Sequence, residues 1–350
     1  MRRYLLAAVG GVLALLAFAQ AKQPADNRYD VVGNPDPADV QPRERESYVK
    51  LREAGASCNT TKDGHVAQVI FNKYRRLPDD IVKHVQDFPK VAVVSFGRAP
   101  FADEALKHLA GLEQLDQVDV SYTRITDAGL GELARCVNLT GINCSHVDVT
   151  DEGVRRLARL KKLRLLRLNH TKVTDAGLAH LAGLPALRWL EIKETNVTDK
   201  GLEHLAGLVN MDTLYLGGTR ITDRGLVQMK EMRKLRALDL AKTSVTDLAL
   251  ETLAGLEALR GLQHVYLDGC NVTDAGMASL AKLENLRGAA LAGTRITDAG
   301  LARIAELGHL YWVTVDRTGV TPEFAERLLK ARPRLSISCD RREKEGPQRE

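Results

Sequence analysis

The sequence predicts an α/β solenoid: a curved right-handed arc with a parallel sheet on its concave face and short helices on its convex face. Three observations predict this class. One motif recurs along the chain. Its copies are 24 residues apart, except for one step of 27 residues. In each unit, apolar residues first alternate with a period of two and then follow the spacing of a helix. Because a single unit is too small to bury its own apolar face, neighbouring units must stack.

The recurring motif reads Ile-Thr-Asp-Ala-Gly-Leu at residues 125–130. Its first position returns at Val149, Val173, Val197, Ile221, Val245, Val272, Ile296 and Val320. The step of 27 residues separates Val245 from Val272. Weaker copies precede the regular ones at residues 77–81 and 101–106, so the repeat phase covers most of the chain.

One unit shows how the elements follow from the residues. Leu166 and Leu168 alternate with polar or outward positions, which predicts a short strand with one buried face. Thr174 is a helix N-cap residue, and Asp175 suits the first turn of the helix that follows. Gly183 ends the helix. Each unit is therefore predicted as strand, turn, short helix and turn.

Glycine occupies the fifth motif position in the regular units, with only Ala105 and Ala249 as replacements. Glycine inside a helix costs roughly 1 kcal/mol relative to alanine. A slot restricted to Gly and Ala therefore predicts that the sheet or a neighbouring helix approaches too closely for a larger side chain.

The units match the pattern L-x-x-L-x-L-x-x-(N/C)-x-L with Thr in the Asn/Cys slot, as at Thr171 and Thr195. Over residues 67–338 the chain therefore resembles the leucine-rich repeat family. The T-D-x-G-L half resembles the GALA-type and F-box-associated subclass and the repeats of many secreted bacterial proteins. The resemblance implies the solenoid fold and says little about function.

Six segments are predicted along the chain. Arg2 and Arg3, the apolar run up to Ala19 and the Ala19-Gln20-Ala21 site are typical of a cleaved secretory signal peptide. An uncleaved membrane anchor is the alternative. The predicted segments are a signal peptide (1–21), a disordered linker (22–46), an N-terminal cap with a degenerate repeat (47–90), ten leucine-rich repeats (91–333), a C-terminal cap strand (334–339) and a charged tail (340–350).

Within the N-terminal cap, a short helix is predicted near residues 47–54. A hairpin is predicted around Lys62-Asp63-Gly64, because Asp-Gly is a strong hairpin signal.

The chain has five cysteines, an odd number for a protein predicted to be exported. Cys136, Cys144 and Cys270 occupy core or turn positions of the repeat and are predicted to be buried and unpaired. Cys58 and Cys339 lie in opposite caps. No disulfide framework is expected.

No catalytic constellation or cofactor motif is found in the sequence, so the chain is predicted not to be an enzyme and to need no cofactor. The motif aspartates are interpreted as helix-capping residues. His146, His170 and Glu194 share one slot in consecutive units and form a weak metal-site candidate. A metal-binding or hydrolytic protein is therefore the remote alternative. His108, His180 and His204 are expected on the outer helices.

Outward strand positions of the repeats predict a binding surface on the concave face. Aromatic residues and arginine are the usual anchors of protein interfaces. The predicted binding residues are Arg167, Trp189, Glu191, Lys193, Tyr215, Asp239, His264, Tyr266, Asp268 and Trp312.

The predicted partner is a protein or peptide, and the chain is expected to be a periplasmic or extracellular monomer with no membrane span after signal cleavage. The net charge of +5 is too small to indicate a nucleic-acid-binding protein. A substrate receptor or scaffold resembling F-box/leucine-rich-repeat ubiquitin-ligase subunits is the alternative, suggested by the F-box-like opening at residues 77–82.

Overall fold

A computed structural model describes residues 31–71 and 80–340. In these residues fourteen strands form one sheet in chain order. The first three strands pair antiparallel, and each later strand pairs parallel with its neighbours. The strands are β1 Val31–Gly33, β2 Ser57–Thr61, β3 Val66–Ile70, β4 Val93–Ser95, β5 Gln117–Asp119, β6 Gly141–Asn143, β7 Leu165–Arg167, β8 Trp189–Glu191, β9 Thr213–Tyr215, β10 Ala237–Asp239, β11 His264–Tyr266, β12 Gly288–Ala290, β13 Trp312–Thr314 and β14 Ser336–Ser338.

Helices alternate with these strands and cover the other side of the sheet. The α-helices are α1 Arg45–Glu53, α2 Asp127–Leu133, α3 Asp151–Leu157, α4 Asp175–Leu181, α5 Asp199–Leu205, α6 Asp247–Gly255, α7 Asp274–Leu280, α8 Asp298–Ala305 and α9 Pro322–Ala331. Five 3₁₀ segments complete the described helical elements at Pro37–Asp39, Ile81–Asp87, Asp103–Leu109, Asp223–Glu231 and Glu257–Gly261. The predicted solenoid, with its parallel sheet and short helices, is confirmed.

The core runs through the solenoid between sheet and helices. Leu166, the central residue of β7, is fully buried and aligns with Leu190 of β8. Leu178 and Leu181 of α4 meet the strands from the helical side and are also fully buried. Full burial of such a side chain contributes about 1.5–3 kcal/mol, so the stacked units stabilise one another.

The N-terminal cap begins earlier than the sequence predicts. Residues 31–46, assigned to a disordered linker, contain β1, the Pro37–Asp39 segment and the start of α1. The segment packs because Val40 is buried in the core and the Tyr48 hydroxyl donates a hydrogen bond to the Pro35 carbonyl (2.6 Å). The prediction of the helix and hairpin that follow is confirmed by α1, β2 and β3.

Three predicted features fall wholly or mainly outside the described residues. These are the signal peptide, the first part of the F-box-like motif and most of the charged tail.

Each motif aspartate begins its own helix and also accepts hydrogen bonds from the motif threonine of the next repeat. Thr174 donates its backbone N–H to Asp151 Oδ1 and its hydroxyl to Asp151 Oδ2, both at 2.7 Å. Thr174 in turn accepts from the Ala176 N–H, as expected of an N-cap residue. The same Asp–Thr pair joins successive repeats from Asp103 to Thr321. The interpretation of these aspartates as helix caps was therefore incomplete.

This inter-repeat bond explains the Gly/Ala slot. A Cβ at Gly177 would lie 2.4 Å from Asp151 Oδ1 and 2.8 Å from Val173 Cγ1. The predicted close approach is present, and the approaching groups are the preceding repeat's carboxylate and the glycine's own motif valine.

Replacing Gly177 by valine is expected to lower the free energy of unfolding by about 2 kcal/mol, because overpacking displaces Asp151 from Thr174. Urea unfolding followed by circular dichroism measures this loss. Gly177→Ala is the matched control: alanine is tolerated at 249, and its better helix propensity offsets part of the clash. A valine variant as stable as the wild type would contradict the close-approach argument.

All five cysteines are free. Cys58, Cys136, Cys144 and Cys270 are buried, and burial raises the pKa of Cys58 to about 12 and of Cys136 to about 11.

Because the thiolate is the reactive form, we expect a thiol reagent to modify these four cysteines only after denaturation. Cys339, which is only partly buried, is the internal control for access in the folded state. Mass spectrometry of the labelled protein measures the sites, and fast labelling of Cys144 in the native protein would contradict its position in the core.

Candidate functional site

The ten predicted binding residues lie along β7–β13 and the turns that follow, on the face opposite the helices. Arg167, Glu191 and Asp239 are buried, and the other seven are half-buried. The concave surface therefore consists largely of side chains that are packed against one another.

Glu191 organises the first part of this surface. Its Oε1 accepts hydrogen bonds from Arg167 Nε (2.8 Å) and Trp189 Nε1 (2.7 Å). Its Oε2 accepts from Asn169 Nδ2 (2.7 Å). The Arg167 guanidinium carbon lies 5.7 Å from the centre of the Trp189 ring. One carboxylate thus neutralises a buried arginine and orients the indole.

Five aromatic side chains continue from this point and form what we call the aromatic belt: Trp189, Tyr215, His264, Tyr266 and Trp312. Ring centres are 5.9 Å apart for Trp189 and Tyr215, 5.8 Å for Tyr215 and Tyr266, and 5.7 Å for Tyr266 and Trp312. His264 stacks on Trp312 with centres 6.0 Å apart. The structure therefore brings both tryptophans into one continuous surface.

Small residues let the belt lie close to the sheet. A Cβ on Gly288 would lie 1.9 Å from Trp312 Cε2, so only glycine allows the indole to cross β12 in this way.

Burial and the charge of Arg287 lower the pKa of His264. His264 Nδ1 is buried without a hydrogen-bond partner.

Charged groups lie beside the belt. Lys193 Nζ is 2.7 Å from Asp239 Oδ2 and 5.8 Å from the centre of the Tyr215 ring. Asp268 Oδ1 accepts the Ala292 N–H at 2.9 Å. Burial and the neighbouring Asp239 charge raise the pKa of Asp268, and Lys193 partly opposes them.

Two residues of the site were not among the predicted binding residues. Asn169 supports Glu191, and its Oδ1 accepts the Lys193 N–H at 2.9 Å. Gly288 admits the Trp312 ring. Both occupy outward positions of the repeat, so the alternation of the strand residues placed them on this face without revealing their roles.

The weak metal candidate belongs to a different feature, a stack along the turns after the strands. His146 and His170 lie face to face with ring centres 4.0 Å apart, and Tyr122 stacks on His146 at the same distance. All three, like Glu194, have positive φ. Residues 31–71 and 80–340 contain no group of three metal-ligating side chains, so the structure does not support this candidate.

A serine, a histidine and an aspartate also meet in the N-terminal cap. Ser47 Oγ lies 3.0 Å from His84 Nδ1 and donates a hydrogen bond to Asp87. A nucleophilic triad requires the aspartate to orient the histidine while the serine faces the substrate. Here Ser47 is buried and bonded to the carboxylate itself, so the cluster joins α1 to the Ile81–Asp87 segment.

The outer histidines lie on the helical side, with His204 exposed and His108 and His180 partly exposed. In the described part of the chain, no helix is both long and apolar enough to cross a membrane.

Comparison with known proteins agrees with the solenoid fold. Residues 260–281 match the family model described as a leucine-rich repeat. The fold is similar to that of an internalin (inlF) from Listeria monocytogenes, at 15% identity and a TM-score of 0.59, over 85% of this chain and 94% of that chain. The fold is a leucine-rich repeat solenoid. The leucine-rich repeat assignment thus has two supports, the matched unit and the overall shape.

A second internalin (inlC2) of the same organism is 26% identical with a TM-score of 0.47, over 61% of this chain and 83% of that chain. No curated protein matches the chain in sequence.

Proposed function

We propose that this chain is an exported, non-enzymatic recognition module that binds a protein or peptide on the concave face of its leucine-rich repeat arc. The aromatic belt is the observation that carries the proposal. Aromatic side chains dominate the energetics of protein interfaces, and the belt presents five of them on one half-buried surface.

Preorganisation strengthens this argument. The Trp189 indole is held by Glu191, and Glu191 is held by Arg167 and Asn169. A ligand that meets fixed side chains loses less conformational entropy than one that must order them. The charges beside the belt have both signs, which suits a mixed-charge protein surface.

Export rests on the signal-like residues 1–21, and assignment to the T-D-x-G-L subclass rests on the repeated motif. We propose a monomer because one chain forms both the core between sheet and helices and the whole aromatic belt.

Fractionation of cells that express the tagged chain tests export, and affinity capture from the extracytoplasmic fraction tests recognition. We expect a chain processed after Ala21 and a partner retained by the wild type. The partner should be lost with Trp189→Ala plus Tyr215→Ala and kept with His180→Ala plus His204→Ala on α4 and α5. A cytoplasmic, unprocessed chain, or capture that depends only on the outer pair, would contradict the proposal.

A further inference from the structure

The inference concerns Asp268, the half-buried carboxylate beside the aromatic belt. It follows Tyr266 by two residues, so both side chains belong to the concave side. Its neighbours in the adjacent repeats are the small residues Ala241 and Ala292, and Asp268 itself stays partly exposed.

The fold does not require the charge of Asp268. Its carboxylate accepts a hydrogen bond from the N–H of Ala292, in the next repeat. Asn169 occupies the same repeat position and accepts the corresponding bond from the Lys193 N–H, also at 2.9 Å. An amide is therefore sufficient for this architectural contact.

The charge of Asp268 is only partly offset by the protein, through the nearby Lys193. Lys193 forms its ion pair with Asp239, and among the described residues no cation lies within ion-pair distance of Asp268. Burial of an unpaired carboxylate is unfavourable, as the raised pKa of Asp268 reflects. A cation supplied from outside would offset this cost.

The surroundings suit a cationic side chain. Tyr266 and Trp312 present aromatic rings on the same surface, with centres 5.7 Å apart. Arginine and lysine are attracted to aromatic faces, and an arginine also forms strong hydrogen bonds with a carboxylate.

We propose that Asp268, Tyr266 and Trp312 form a subsite that receives an arginine or lysine side chain of the bound peptide. This rests on the proposed function and specifies the chemistry of the ligand. Trp189 and Tyr215 then provide apolar contact area, and the Asp268 subsite selects for positive charge.

Two synthetic libraries of random nonapeptides test the subsite on immobilised residues 22–350. One has arginine at the central position and the other has citrulline, its uncharged analogue of nearly the same shape. We expect the wild type to retain the arginine library at least about five-fold more strongly. Asp268→Asn keeps the Ala292 bond and should bring the ratio close to one.

Asp316→Asn is the matched control, since Asp316 occupies the same repeat position two units further on and accepts from Ser338 Oγ (2.7 Å). It should leave the ratio unchanged. The wild type could instead retain both libraries equally, and Trp189→Ala plus Tyr215→Ala could abolish that retention. This result would overturn the cation subsite but would still support recognition on the concave face. No retention of either library would also overturn the cation subsite, whereas the proposed function is decided by the capture experiment. A preference for arginine that survives Asp268→Asn would place the cation elsewhere.

Discussion

Replacing Glu191 by glutamine is expected to lower the free energy of unfolding by about 3 kcal/mol, because it removes the carboxylate that pairs with the buried Arg167 side chain. The two side chains are only 8% and 11% exposed, and their atoms lie 2.8 Å apart. Urea unfolding followed by circular dichroism measures the change. The loss should persist in high salt, because buried pairs are screened little.

An exposed ion pair is the control for this prediction. Lys172 Nζ and Asp148 Oδ1 are 2.6 Å apart, with side chains 69% and 61% exposed. Asp148→Asn should cost less than about 1 kcal/mol, as exposed pairs usually do. If Glu191→Gln costs no more than Asp148→Asn, the buried pair does not hold the concave surface in place.

The second large effect is on binding. Trp189→Ala with Tyr215→Ala should weaken binding of the captured partner by at least about 30-fold, corresponding to roughly 2 kcal/mol, if the pair acts as an interface hot spot. The ring centres of the two residues are 5.9 Å apart, so one ligand surface can contact both. Isothermal titration calorimetry measures the affinity.

Circular dichroism verifies that this variant folds, and His180→Ala with His204→Ala controls for substitutions on the helical side. An unchanged affinity of the concave variant, or a loss confined to the outer variant, would place the binding surface on the convex side.

The repeat phase made most of the fold predictable. Placing Leu166 and Leu168 in the core also predicts which strand residues are buried in every other unit, because a solenoid repeats its contacts. Residues 31–46 were harder to predict because they lie outside the repeat phase. Val40 and Tyr48 pack residues 31–46 through contacts that a proline-rich composition does not reveal.

The site was predicted by position but not by its internal bonds. Strand alternation places Arg167, Trp189 and Glu191 on the concave side, and the structure has all three there. The sequence did not reveal that Glu191 joins the other two, because that depends on rotamers and on Asn169. Likewise, the sequence indicates only a helix-capping role for Asp151, because its hydrogen bond with Thr174 of the next repeat is visible only in the structure.

Tryptophan fluorescence tests concave recognition most directly, because the chain has two tryptophans and both belong to the aromatic belt. A tryptophan-free peptide, selected for binding from a random library, is titrated into residues 22–350 with excitation confined to indole. We predict a saturable blue shift, with a midpoint equal to the dissociation constant from calorimetry, as the half-buried indoles lose contact with water. Binding detected by calorimetry without any change in the emission spectrum would contradict a ligand seated on the belt.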